Sequence, residues 1–164
     1  MKDYNRAFFR ALNGRRSRSA EVIVPLIIDL LNPCSVIDIG CGTGGWLEVF
    51  KNHHIADILG VDGEWVPAKL LQIPRACFLA HDLMKPIEIN RRFDLAVSLE
   101  VAEHLDRDSA RRFIQTLVKL SSVVLFSAAI PYQGGTHHVN EQSLGDECRQ
   151  LDHETLQPAL KDRS

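Results

Sequence analysis

The sequence predicts an α/β fold, a mostly parallel sheet of about five strands with helices on both faces. Three observations lead there. The β-branched run Val36-Ile37-Asp38-Ile39 breaks into Gly40-Cys41-Gly42-Thr43-Gly44-Gly45, and residues 46–50 resume with helical spacing, which reads as strand, tight loop, helix. Further apolar runs recur at 58–62, 77–80, 93–99 and 123–130, separated by turn residues or helical patterns. Acids recur where these runs end: Asp38 just before the glycine loop, Asp62 closing the second run, Asp82 just after the third. In a parallel sheet such positions gather along one edge.

Length and composition narrow the possibilities. A chain of 164 residues suffices for one domain with a real core but not for a cofactor domain plus a separate substrate domain. With 45% hydrophobic and 24% charged residues and a formal net charge of −2, there is no overall signal for a nucleic-acid or membrane-surface protein. Cys34, Cys41, Cys77 and Cys148 form no C-x-x-C pair and read as reduced thiols of a cytoplasmic protein. No apolar run of about 18 residues and no signal-peptide core are visible.

Taken in order, residues 1–18 form a basic arm, with Lys2, Arg6, Arg10, Arg15, Arg16 and Arg18 against Asp3; it reads as a solvated arm with Phe8, Phe9 and Leu12 packed on the domain, or as a contact to RNA or an acidic membrane. Residues 19–142 form the domain and 143–164 a polar tail. Ser19 reads as the N-cap of a helix over 20–31, with Val22, Ile23, Leu26, Ile27 and Leu30 as its buried stripe, and Pro25 as a kink or the true first turn. The glycine-loop helix should end near His53 and His54, and a short helix should follow over 67–71. Asp106 or Asp108 caps a helix through Leu120 with Phe113, Leu117 and Leu120 inward.

Two cofactor classes fit the glycine loop. Gly40, Gly42 and Gly45 satisfy G-x-G-x-x-G, with Asp62 about 20 residues on where a dinucleotide fold places its ribose acid. Asp38 beside the loop would repel a pyrophosphate but welcome a cation. S-adenosylmethionine (SAM), with a sulfonium, an ammonium and no phosphate, suits an acidic mouth. An acid, one spacer and G-x-G-x-G, here Asp38, Gly40, Gly42 and Gly44, resembles the first motif of the class I SAM-dependent methyltransferases, and thus implies their Rossmann-like fold. Asp62 could accept from both ribose hydroxyls, with Gly63 next to it and Trp65 offering an adenine face or plain core packing. The resemblance implies that Asp82 accepts from the adenine amine while the Leu83 N–H reads a ring nitrogen; a turn or cap role for Asp82 is the alternative. Leu99 and Glu100 would lie beside the cofactor at the end of the fourth strand.

Methyl transfer needs alignment, and a hydroxyl acceptor must also lose a proton. If the segment Glu100-Val101-Ala102-Glu103-His104 turns helically, both carboxylates and the imidazole share one face. E-x-x-E-H resembles the ligand set of metal-assisted O-methyltransferases, such as those of ubiquinone biosynthesis and small-RNA 3′-end 2′-O-methylation. That implies a divalent metal on Glu100, Glu103 and His104, with His137 or His138 as fourth ligand. Metal-free methyltransferases also carry an acid and a histidine here, and then His104, His137 or His138 is a candidate base. The G-G-T-H-H-V-N-E-Q run at 134–142 resembles bacterial methyltransferases associated with glycan genes, which implies a small-molecule or glycan hydroxyl as acceptor.

A complete class I methyltransferase continues past the fifth strand into an antiparallel pair. Residues 143–164 carry no β-branched run able to make those strands, so the expectation is a shortened sheet whose open edge is covered by a short helix, a dimer partner or another subunit. Two further readings follow, a truncated or degenerate member that binds SAM weakly or serves as a partner subunit, and an NAD-binding module.

Overall fold

The computed structural model describes residues 6–130, 139 and 140, with side chains from residue 18 onward. Strands β1 (Ser35–Ile39), β2 (Asp57–Asp62), β3 (Phe78–Ala80), β4 (Leu95–Leu99) and β5 (Val124–Ser127) form one sheet in the order β3-β2-β1-β4-β5. Every pairing is parallel. Helix α1 (Arg6–Leu31) leads into β1, α2 (Gly45–Asn52) links β1 to β2 and α3 (Arg107–Leu120) links β4 to β5, with 3-10 turns at Ala68–Leu70, Arg75–Cys77 and Ala102–His104.

The period-two pleat divides the apolar residues between two cores. Val36, Leu95 and Val97 face α1 and α2, meeting Val24, Leu47 and Phe50, whereas Ile37, Ile39 and Ala96 face α3, meeting Phe113, Leu117 and Leu120. Each such fully buried side chain contributes about 2 kcal/mol of transfer free energy. Alternation puts Asp38 on the face of Val36, and it is buried there, 4% exposed, in the centre of the sheet. Helices therefore cover both faces, as the strand pattern predicts.

The start of β1 is tied across the sheet. The Asp94 carboxylate accepts from the Cys34 and Ser35 N–H groups at 2.8 and 2.9 Å and from the Ser35 hydroxyl at 3.1 Å, just ahead of β4. These donors hold its carboxyl below the usual carboxylate range. Asp106 caps α3, accepting from the Asp108 and Ser109 N–H groups, which settles the choice between the two expected caps. Phe113, Leu117 and Leu120 are buried as expected.

Helix α1 departs from expectation twice. It begins at Arg6, so Ser19 lies inside it and caps nothing, and the arm over 1–18 is helical from Arg6 on. Residues 6–18 hold good helix formers, no proline and a single glycine, so nothing stops the helix from propagating upstream. Its buried stripe is Ala20, Val24 and Ile27, while Val22, Leu26 and Leu30 are 66%, 63% and 81% exposed. Apolar residues occupy well over half of this helix's circumference, and the small Ala20 selects the part that approaches α2 closely. Pro25 sits inside α1 and leaves the Glu21 carbonyl without its usual donor.

Strand boundaries are tighter than the apolar runs suggest. Cys77 belongs to a 3-10 turn, Phe93 precedes β4, and β5 stops at Ser127, half-buried along its length. Cys34, Cys41 and Cys77 are free thiols. Cys148 and the tail over 143–164 lie outside the described residues.

Candidate functional site

All five strands run in one direction, so the residues that follow them collect at one edge. The chain leaves β1 toward β2 and β3, then returns to β4 on the other side of β1, which opens a crevice at the β1/β4 switch point where ligands of such sheets bind. The glycine loop sits there. Its Gly40 and Cys41 N–H groups donate to the Val61 carbonyl at 2.8 and 3.3 Å, which ties the loop to β2.

Gly40, Gly42 and Gly44 have φ of +88°, +57° and +84°. A Cβ on Gly40 would run into the Val101 side chain, and one on Gly44 would lie 2.8 Å from Ile73 Cγ1, so both positions need glycine for space as well as for backbone. Gly45 carries no such φ and simply opens α2. The three left-handed glycines are thus those of the G-x-G-x-G spacing, which favours that reading of the loop over G-x-G-x-x-G.

Asp62 closes β2 and is 8% exposed. Its Oδ2 accepts from the Gly42 N–H and its Oδ1 from the Gly63 N–H, both at 2.6 Å, so one carboxylate spans the loop and the strand end. Charge-assisted bonds of this length are the stronger kind. The Trp65 ring lies directly against Gly63, which leaves no room for a side chain there, and Trp65 stays 45% exposed. Thr43 and Gln72 lock the loop from the other side, with Gln72 Nε2 donating to Thr43 Oγ1 at 2.8 Å and the Gln72 N–H to the Thr43 carbonyl.

After β3, Asp82 Oδ1 accepts from the Met84 N–H at 3.1 Å and Oδ2 lies 3.5 Å from Lys85 Nζ, with the side chain 44% exposed. Asp82 therefore holds a turn, and it stands at the same edge as Asp62. Leu83 is buried in the α3-side core.

After β4, Glu100 adopts φ of +59°, a left-handed conformation that costs about 1 kcal/mol or more in a residue of this kind. Two bonds to Ser127 hold it, from the Glu100 N–H to the Ser127 carbonyl at 2.9 Å and from Ser127 Oγ to Glu100 Oε1 at 2.8 Å. Leu99 is half-buried just before it. This bend breaks the expected shared face: Glu103 is 1% exposed, whereas Glu100 and His104 are exposed. The Glu103 carbonyl accepts from the Val139 and Asn140 N–H groups, so the chain beyond β5 returns to this edge. Among the described residues no group of three or more His, Cys, Asp and Glu side chains is placed to hold a metal ion. His137 and His138 lie outside the described residues.

The segments that leave the strands here, 62–65, 81–85 and 100–104, carry Asp62, Glu64, Asp82, Glu100 and Glu103 against a single formal cation, Lys85. Such an edge repels a pyrophosphate and attracts a cation. Thr43, Gln72, Ile73, Val101 and Ser127 were not legible as parts of the site. A polar residue at the end of the fifth strand was a signal for Ser127; the sequence carries none for Gln72.

No helix among the described residues is long and apolar enough to cross a membrane. No curated protein shows significant sequence similarity to the chain. Among solved structures, an assigned O-methyltransferase of Nostoc punctiforme PCC 73102 superposes with a TM-score of 0.68 at 14% identity, covering 90% of this chain and 52% of its own. Magnesium protoporphyrin IX methyltransferase of Synechocystis PCC 6803, solved with SAH, gives 0.63 at 17%, covering 85% and 72%. Human N-acetylserotonin methyltransferase, solved with SAM, gives 0.63 at 14%, covering 90% and 48%. At these identities the likeness is one of fold, and the chain spans about half the length of the first and third proteins. A family profile described as a methyltransferase domain matches residues 4–154. The fold, the glycine spacing and this match over most of its length agree that the chain belongs to the methyltransferase-domain family.

Proposed function

We propose that this chain is a SAM-dependent methyltransferase acting on a hydroxyl of a small molecule or glycan. The observation that carries the reading is Asp62, whose carboxylate bridges the glycine loop and the end of β2 on an edge with a large excess of acids. The residues fit the cofactor. The backbone at Gly40 and Gly44 is pressed so close to Val101 and Ile73 that only glycine leaves the cradle open, and the surrounding carboxylates complement a sulfonium and an ammonium. When bound, SAM supplies an electrophilic methyl group for in-line displacement.

The chain's own residues divide the remaining work. Asp62 holds the loop in place and orients the ribose hydroxyls, since an ionised carboxylate offers about four acceptor sites. Trp65, packed against Gly63, presents a half-exposed ring for the adenine, while Asp82 and the Leu83 backbone at the same sheet edge are the candidates for its amine and a ring nitrogen. Glu100, fixed by Ser127, points a carboxylate out at the β4 end, where it orients the acceptor hydroxyl or takes its proton. His104 is the exposed imidazole nearest to it in sequence, and His137 and His138 are the candidate bases in the segment beyond β5.

The test is turnover with a panel of phenolic, carbohydrate, amine and carboxylic acceptors, read by mass spectrometry of the products. Wild type is expected to methylate a hydroxyl. Glu100→Gln should lower kcat by at least about tenfold while leaving SAM affinity within about twofold, because its bond from Ser127 survives the change. Methylation confined to nitrogen or carboxylate acceptors, or an unaffected kcat, would overturn this assignment.

A further inference from the structure

Helix α1 is apolar on two sides. Ala20, Val24 and Ile27 face the domain, while Val22, Leu26 and Leu30, spaced by four residues, form a second stripe in solvent with Ile23 along its inner margin. An unpartnered row of large apolar side chains on a long helix marks a contact surface. At about 100° per residue, Arg18 and Asp29 fall within about 20° of each other on the outer flank of this stripe, both exposed. They are eleven residues apart, about three turns, with Val22 and Leu26 between them.

This spacing has a two-fold consequence. When two copies of one helix pack antiparallel, each flank meets the same flank of the other copy in reverse order. An arginine at one end and an aspartate at the other then face opposite charges at both ends. We propose that the chain forms a homodimer through α1, its exposed stripe packed against the partner's stripe with the helices antiparallel, and Arg18 of each copy paired with the partner's Asp29. The charges of α1 thereby specify the occupant as a second copy and set its register. The stripe itself is flanked by the acids Glu21 and Asp29, whereas the arginines of α1 lie in the N-terminal half of the helix, so an anionic bilayer is the competing occupant that the vesicle measurement below tests.

Sedimentation velocity of the full chain over a concentration series at low salt tests this directly. Wild type should sediment at twice the chain mass of 18.4 kDa, and Leu26→Glu, a change at an exposed position, should be monomeric with an unchanged melting temperature. Arg18→Asp and Asp29→Arg should each weaken the dimer about tenfold, and the double variant should restore it. A chain monomeric up to about 100 μM, a dimer untouched by Leu26→Glu, or single charge reversals that the double variant does not rescue would each overturn the proposal. Sedimentation of a monomeric chain with vesicles of phosphatidylserine and phosphatidylcholine would overturn it in favour of a membrane surface.

Discussion

Gly40 shows how much of the site is written in single residues. Its φ of +88° and a Val101 methyl where a Cβ would sit leave no conformation or space for a side chain. Gly40→Ala should therefore lower stability by about 2 kcal/mol or more, seen as a lower denaturant midpoint, and abolish SAM binding in whatever folded protein remains. The placement of Asp62 at a strand end and of Gly40, Gly42 and Gly44 in the loop was legible because each depends on the residue's own strand and loop, whereas Asp38 is buried within the sheet. The partners that hold them were not. Gln72 meets Thr43 across 29 residues and Ser127 meets Glu100 across 27, contacts created by how the chain folds back along the site edge rather than by any local pattern. The bend at Glu100 was likewise invisible, since nothing in E-x-x-E-H announces a left-handed residue, and it is that bend which separates Glu100 and His104 from the buried Glu103.

Among the elements, α3 is the most legible. An Asp cap, a polar outer face and a stripe of Phe113, Leu117 and Leu120 all point to the same helix. In α1 the local signals disagree. Ser19 looks like a cap but the helix runs through it, and two apolar faces compete to be the buried one. Periodicity shows that such a helix exists without showing which face the sheet takes. The connection from α1 into β1 depends on Asp94, whose carboxyl is held below its usual range by the Cys34 N–H, with the Ser35 groups assisting. A depressed folded-state value means that the stabilisation is fully present above the unfolded carboxyl value of about 3.9 and is lost as pH falls through the folded one. Asp94→Ala should cost about 1 kcal/mol at neutral pH, a modest figure because the carboxylate is exposed to solvent. The difference between variant and wild type should shrink as pH falls below about 3.9 in urea titrations, and a difference that is constant with pH would show that the loss is one of packing.

At the scale of the molecule, the strand order β3-β2-β1-β4-β5 follows from the sequence once the five apolar runs are read as strands of one parallel sheet and the first motif is matched to its family. That order places Asp62, Asp82 and Glu100 at one edge and the glycine loop at the switch point, which brings the residues of the proposed cofactor and acceptor sites together from separate strands. The acceptor is less legible, because selectivity in such folds resides in loops and additions beyond the cofactor motifs, and the histidines 137 and 138 lie outside the described residues. The central claim is therefore about the cofactor, and calorimetric titration of the purified chain with SAM tests it most directly. One SAM is expected to bind per chain, with NAD producing no competition, and Asp62→Ala, shown to be folded by circular dichroism, should weaken SAM at least about hundredfold by losing both the loop tie and the ribose contact. A folded wild-type chain that takes NAD in place of SAM, or an Asp62→Ala variant that binds SAM as wild type does, would contradict the account.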